Sequence, residues 1–172
     1  MWKIFGDKGK KDAEAAEAAS DSKPNLEMLE GNCLECSSCH TVLSLASFPA
    51  LTLVKCSQCD ATNFIPYNIR GFWLYRPLGG GGMGSVYKAI HKEYAGMEFA
   101  VKILPRDAKE SQHLIDALIQ EAAIGKSFGK HPHLTFVADY GHFNGEYFSA
   151  MEFCAGQRLD QIIDSSDQIP HK

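Results

Sequence analysis

Five of the six cysteines in this 172-residue chain fall within 27 consecutive positions: Cys33, Cys36, Cys39, Cys56 and Cys59, with Cys154 alone. Cys36-Ser-Ser-Cys39 and Cys56-Ser-Gln-Cys59 are two CxxC pairs with 16 residues between them. That falls within the spacing of roughly 15–20 residues typical of structural zinc. A CxxC turn aims two thiolates at one point, and two such turns from opposite ends of a hairpin complete a tetrahedron. Four thiolates leave no open coordination position, so a zinc ion here is structural; in so small a segment it supplies folding free energy of order 10 kcal/mol. Pairing Cys33/Cys36 with Cys56/Cys59 leaves 19 residues and is a second register. CSSCH mirrors CSQCD, which favours Cys36, Cys39, Cys56 and Cys59 and leaves Cys33 spare, with His40 a weaker substitute.

A second group with chemical capacity begins at Leu78-Gly-Gly-Gly-Gly-Met-Gly-Ser-Val-Tyr-Lys-Ala89, with GxGxxG at Gly79, Gly81 and Gly84. Glycines let backbone amides approach phosphate oxygens with no Cβ in the way. Three phosphate-binding architectures compete for this pattern. A P-loop needs GK[ST], and Ser85 follows Gly84 directly. A dinucleotide-binding turn must open a helix, and Ser-Val-Tyr-Lys-Ala-Ile-His reads as strand. A glycine loop bridging two antiparallel strands remains. Next, Met97–Leu104 is an apolar strand carrying one lysine, Lys102, a residue type rarely buried without a partner. The following helix has Ser111 as N-cap, Leu114, Leu118 and Glu121 on one face, and Gly125 as its expected end. A carboxylate on an inward stripe needs a cation, and Lys102 is the obvious one.

The elements that must position these groups fall into three regions. Residues 1–31 are expected to be a flexible segment; from Gly6 to Pro24 the only apolar residues are alanines. Residues 32–68 hold the cysteine cluster, in which HTVLSL and DATNFI each follow a CxxC pair as a knuckle leading into a strand. Residues 72–172 read as strands, then a helix, then strands, with a hairpin turning at Asn144-Gly145.

The cysteine segment is similar to a zinc ribbon. The third region resembles the N-terminal lobe of eukaryotic-type Ser/Thr protein kinases through LGGGGMGSVYKA, FAVK, Glu121, HPHL and MEFCAGQRL. The resemblance implies an α+β fold: a five-stranded antiparallel sheet with one helix, preceded by the ribbon. It implies ATP as ligand, with Leu78, Gly79, Gly81, Gly84, Val86, Ala100, Lys102, Met151, Glu152 and Cys154 binding the nucleotide. Gly79, Gly81 and Gly84 would cover the phosphates. Val86 and Ala100 would sandwich the adenine, Met151 would be the gatekeeper, and Glu152 to Cys154 the hinge. Lys102, held by Glu121, would pair with the α/β-phosphates. Arg158 lies near a ribose position that many kinases use.

The family's catalytic loop and its DFG aspartate have no counterpart here, as 18 residues follow Cys154. The expectation is an N-terminal piece of a longer kinase that is inactive alone and exposes an apolar face to a missing lobe. Magnesium ligands would lie in that lobe. In the longer protein a protein substrate is expected, and the ribbon could recruit a protein partner. The alternative is a non-catalytic adaptor of ribbon and nucleotide-binding lobe.

Composition narrows the classes further. The net charge is −4, and Lys55 is the only Lys or Arg between Cys33 and Asn68, so nucleic acid is not expected as a partner. No apolar run reaches the roughly 18–20 residues of a membrane span, and no secretory h-region opens the chain; a cytoplasmic location is expected.

Overall fold

The computed structural model describes residues 22–81, 84–104, 111–157 and 162–163. Most of the expected flexible segment, the tip of the glycine loop at Gly82 and Met83, and Arg158 lie outside the described residues. The stretch just after Pro24 departs from the flexible expectation. Leu26–Glu30 is a short helix, α1, capped by the Asn25 side chain, which accepts from the Glu27 amide at 2.9 Å. A five-residue helix is not stable alone; Leu29, 1% exposed, anchors it by burial.

The cysteine segment forms two matched hairpins. Strands β1 (Cys33–Glu35) and β2 (Val42–Ser44) pair antiparallel, as do β3 (Leu53–Lys55) and β4 (Thr62–Phe64). In each, the residue after the second cysteine of the CxxC turns with positive φ, 61° at His40 and 57° at Asp60. Each turn closes the same way: the His40 amide donates to the Cys36 carbonyl at 3.1 Å, the Asp60 amide to the Cys56 carbonyl at 2.9 Å.

The main sheet follows without a linker. β5 (Tyr67–Ile69), β6 (Phe72–Gly81), β7 (Gly84–His91), β8 (Phe99–Ile103), the helix α2 (Gln112–Ser127), β9 (Val137–Phe143) and β10 (Glu146–Glu152) complete the chain. The strand order is β5-β6-β7-β8-β10-β9, with every pair antiparallel. The α+β architecture is as expected, but the sheet has six strands rather than five. The extra strand, β5, exists because Arg70-Gly71 forms a two-residue hairpin turn, φ 49° and 89°, and because Ile69 is fully buried. Side chain would not fit at Gly71, where a Cβ would meet the His91 ring.

Period-2 alternation divides the strands into two faces. Phe72, Leu74, Tyr87, Ala89, Phe99, Val101, Phe148 and Ala150 turn to one side and form the main core with Ile69 and Ala138. The sheet curls enough for Arg70, beside one edge strand, to reach Asp139 on the other at 3.3 Å. A second core fuses ribbon and sheet: Leu29, Leu45 and Ile65 pack with Tyr75 and Ile90, flanked by Phe48 and Trp73. α2 seats Ile115 and Leu118 against Leu104 and Tyr147. At about 1.5–3 kcal/mol for each fully buried Leu or Ile, these two side chains hold the helix to the sheet.

Candidate functional site

Directly opposed residues of antiparallel strands share a face. Val86, Lys102 and Ser149 stand opposite one another across β7, β8 and β10, and Lys88, Ala100 and Met151 form the next row. The two rows face away from the main core, and β8 shows why: Phe99, Val101 and Ile103 are buried, while Ala100 and Lys102 between them are partly exposed. The lysine is therefore not buried among the residues that surround it in sequence. Its side chain is 23% exposed, with Nζ 3.8 Å from Oε2 of Glu121.

Glu121 reaches that position from α2, though not from the buried stripe. Ile115, Leu118 and Ala122 form that stripe, and the Glu121 side chain is 67% exposed at its edge. The helix also runs past Gly125 to Ser127. A glycine is tolerated mid-helix because Val137 packs on it; a Cβ would lie 2.6 Å from the valine Cγ2. Ser111 occupies the N-cap position but makes no side-chain capping bond.

The glycine loop joins β6 to β7, with Gly81 opposite Gly84. Gly84, φ 118°, passes so close to β8 that a Cβ would run into the Ile103 carbonyl. Gly79 has open space where a side chain would be, and Leu78 is 38% exposed. The loop thus leaves bare backbone beside the Val86–Lys102 row. At the other end, the Glu152 amide donates to the Phe136 carbonyl at 2.8 Å and the Phe153 amide to the Glu98 carbonyl at 2.9 Å. Cys154 is exposed, its Sγ 3.8 Å from the Thr135 hydroxyl.

One cluster beside this face was not foreseen. Lys88 Nζ lies 3.1 Å from Glu98 Oε2 and 4.7 Å from the Phe153 ring centroid, and the Tyr75 hydroxyl donates to Glu98 Oε1 at 2.5 Å. Burial alone would raise the Glu98 carboxyl; the Tyr75 hydroxyl and Lys88 outweigh it and hold the group below the usual range. Burial, and then the carboxylate, push the Tyr75 hydroxyl far upward. Tyr75, in β6, and Glu98, just before β8, lie 23 residues apart, so no local pattern announces their meeting.

The thiols of Cys36, Cys39, Cys56 and Cys59 lie within 4.8 Å of one another. The Cys36–Cys59 and Cys39–Cys56 sulfurs are each 3.6 Å apart, close to the edge of about 3.8 Å for a tetrahedron of 2.3 Å zinc–sulfur bonds. Cys33, in β1, is outside the group. The Cys39 and Ser38 amides lower the Cys36 thiol to about 6 against the opposing effect of burial, with the Asn63 side chain adding to them. Cys39 is lowered by the Thr41 hydroxyl and amide. The Ala61 amide would lower Cys59 too, but the neighbouring Cys39, with burial and the other thiols, pushes it up to about 11. Four adjacent thiols cannot all ionise without a cation to offset the charge, which is the chemistry of a soft divalent metal site. Asn63, 5% exposed, supports the site from the opposite hairpin by accepting from the Ser37 amide at 2.9 Å and donating toward Cys36 Sγ at 3.5 Å.

Among the described residues, no helix is long and apolar enough to cross a membrane. The protein kinase domain family matches residues 72–172. Serine/threonine-protein kinase ULK3 of Rattus norvegicus is 31% identical over 102 residues, covering 59% of this chain and 21% of that protein. Serine/threonine-protein kinase PknF of Mycobacterium tuberculosis is 36% identical over 101 residues, covering 59% and 20%. The crystal structure of the M. tuberculosis PknI kinase domain superimposes with a TM-score of 0.50 at 24% identity, over 61% of this chain and 41% of that one, a likeness of fold. The chain spans about a fifth of the length of the curated relatives it matches. Over more than half its length, from Phe72 onward, this chain belongs to the protein kinase domain family.

Proposed function

We propose that residues 72–172 are the ATP-binding lobe of a Ser/Thr protein kinase, and that the whole protein transfers the γ-phosphoryl group of ATP to a protein serine or threonine. The observation that carries this reading is the two-row face of β7, β8 and β10, where Lys102 stands opposite Val86 with Glu121 at 3.8 Å. On it, Val86 and Ala100, neighbours on the same face, cover one side of the adenine ring. The Met151–Cys154 stretch, with Glu152, receives the adenine edge through backbone groups. Backbone amides around Gly79, Gly81 and Gly84 cover the phosphates, and Leu78 contacts the nucleotide beside them. The Lys102 ammonium offsets phosphate charge, and Glu121 fixes its direction. Magnesium would be held by the remainder of a kinase domain, as residues 1–172 contain no match to the family's metal-binding loop.

Residues 32–68 act as a zinc ribbon with Cys36, Cys39, Cys56 and Cys59 as ligands; the spacing and the clustering of four thiols support that assignment. A reduced thiolate centre suits the cytoplasm. Val42 and Leu53, 57% and 37% exposed, would give the ribbon an apolar surface for a protein partner.

The test is label transfer from γ-labelled ATP to a generic protein substrate by the whole protein. The wild type should transfer label and Lys102→Met should lose at least about a hundredfold, the scale of a lost electrostatic stabiliser. Undiminished transfer by Lys102→Met refutes the assignment.

A further inference from the structure

The ribbon and the nucleotide-binding face share more than a chain. Two residues, Ile65 and Pro66, separate β4 of the ribbon from β5 of the sheet. Phe48 packs both on the cluster containing Cys36 and Cys56 and on the interface containing Tyr75. Tyr75 is 5% exposed, its ring held among Leu29, Leu45, Ile65 and Ile90. Its hydroxyl meets Glu98, which also holds Lys88 at 3.1 Å, while the Glu98 carbonyl accepts the Phe153 amide at 2.9 Å. Lys88, with its side chain 11% exposed, sits opposite Ala100 and two residues from Val86. A continuous path of packed and hydrogen-bonded groups therefore runs from the thiol cluster to the adenine side of the face.

We propose that Tyr75, Glu98 and Lys88 are positioning residues that brace the adenine side of the cleft against the metal-held ribbon, so that filling the four-thiol site tightens nucleotide binding. The proposal rests on the nucleotide and metal assignments made above. With the metal in place, the hairpins fix Phe48, Leu45 and Ile65, and these hold the Tyr75 ring so that its hydroxyl meets Glu98. Glu98 then fixes both the Lys88 ammonium and the backbone just before β8 that receives the Phe153 amide. Without the metal, the hairpins lose their common tie and the Tyr75 ring loses the wall that sets its angle. Lys88 touches no nucleotide in this account. It shapes the floor next to Ala100, and Glu98 shapes the turn into the hinge.

The test compares ATP and adenosine binding by the whole protein, loaded with zinc and after chelation, for the wild type, Tyr75→Phe and Glu98→Gln. Loss of one such hydrogen bond corresponds to a weakening of about threefold to tenfold. Chelation should weaken wild-type binding of both ligands by about that factor. Zinc-loaded Tyr75→Phe, which keeps its ring and one zinc per chain, should be weakened to a similar extent already, and chelation should then add less than twofold. Equal wild-type affinity with and without zinc, or Tyr75→Phe binding as tightly as the wild type, overturns the brace. If zinc-loaded wild type binds no ATP, the nucleotide assignment itself falls and the brace with it, an outcome that the wild-type arm alone identifies. If chelation unfolds the protein, the zinc-loaded variants decide: faster exchange of the Phe153 amide hydrogen with weaker adenosine binding supports the brace, and wild-type values for both overturn it.

Discussion

Lys102 Nζ and Glu121 Oε2 lie 3.8 Å apart although one belongs to the sheet and the other to the helix, and the carboxylate stays 67% exposed. An exposed pair at that distance contributes about 0–1 kcal/mol to stability. Its consequence is directional: the carboxylate keeps the ammonium turned along the face rather than into solvent.

Replacing Glu121 should therefore separate stability from binding. Glu121→Gln is expected to change unfolding free energy by less than about 1 kcal/mol, while ATP affinity falls severalfold. Denaturant unfolding and ATP titration of one preparation check both. A large stability loss would mean that the pair is structural.

Metal removal should act on the fold as a whole. One zinc per chain is expected, and Cys36→Ser should lose it together with ribbon stability of order 10 kcal/mol. Metal analysis with thermal unfolding reads this. A protein purified without chelators that carries no metal and melts unchanged on chelation contradicts the assignment.

Leu29 tests whether ribbon and lobe are one unit. It is 1% exposed and contributes to the interface that holds Tyr75 and Ile90. Leu29→Ala should cost about 2–5 kcal/mol and lower a single common transition. Two separate transitions, with only the first shifted, would show the ribbon unfolding independently.

Acid should weaken the Tyr75–Glu98–Lys88 cluster in a defined direction. The Glu98 carboxyl is depressed in the folded state, so its contribution is complete above the ordinary carboxylate pKa of about 4.3 and is lost as pH falls through the lower folded value. The stability difference between wild type and Glu98→Gln should be constant from neutral pH to about 5 and shrink below it. A difference that grows as pH falls would carry the wrong sign.

Gly125 gives a counter-intuitive outcome. An alanine in a helix interior ordinarily gains about 1 kcal/mol over glycine, but here its Cβ would lie 2.6 Å from Val137 Cγ2. Gly125→Ala should destabilise the wild type by about 1–3 kcal/mol and stabilise the Val137→Ala background. A gain in both backgrounds would show that the helix and β9 do not press together.

The residues bearing chemistry were legible because their signals are local. The CxxC turns, the glycine run and Lys102 each stand out within a few positions, and the alternation around Lys102 places it on the face opposite Val101. What was not legible depends on distant partners. Helix α1 forms because Leu29 finds the lobe, and α2 keeps a glycine at position 125 because Val137 lies against it. The Tyr75–Glu98 bond reaches from β6 across β7 to the residue just before β8. Strand β5 did carry a local signal, Asn68-Ile-Arg-Gly71, whose two-residue turn the expectation of five strands passed over.

The central claim is that the Val86–Lys102 face binds ATP, and ATP titration of the zinc-loaded whole protein with and without Lys102→Met tests it most directly. Saturable binding by the wild type, weakened at least about tenfold in a Lys102→Met variant with unchanged thermal unfolding, is the predicted result. Equal binding by the two proteins, or none by the wild type, contradicts it.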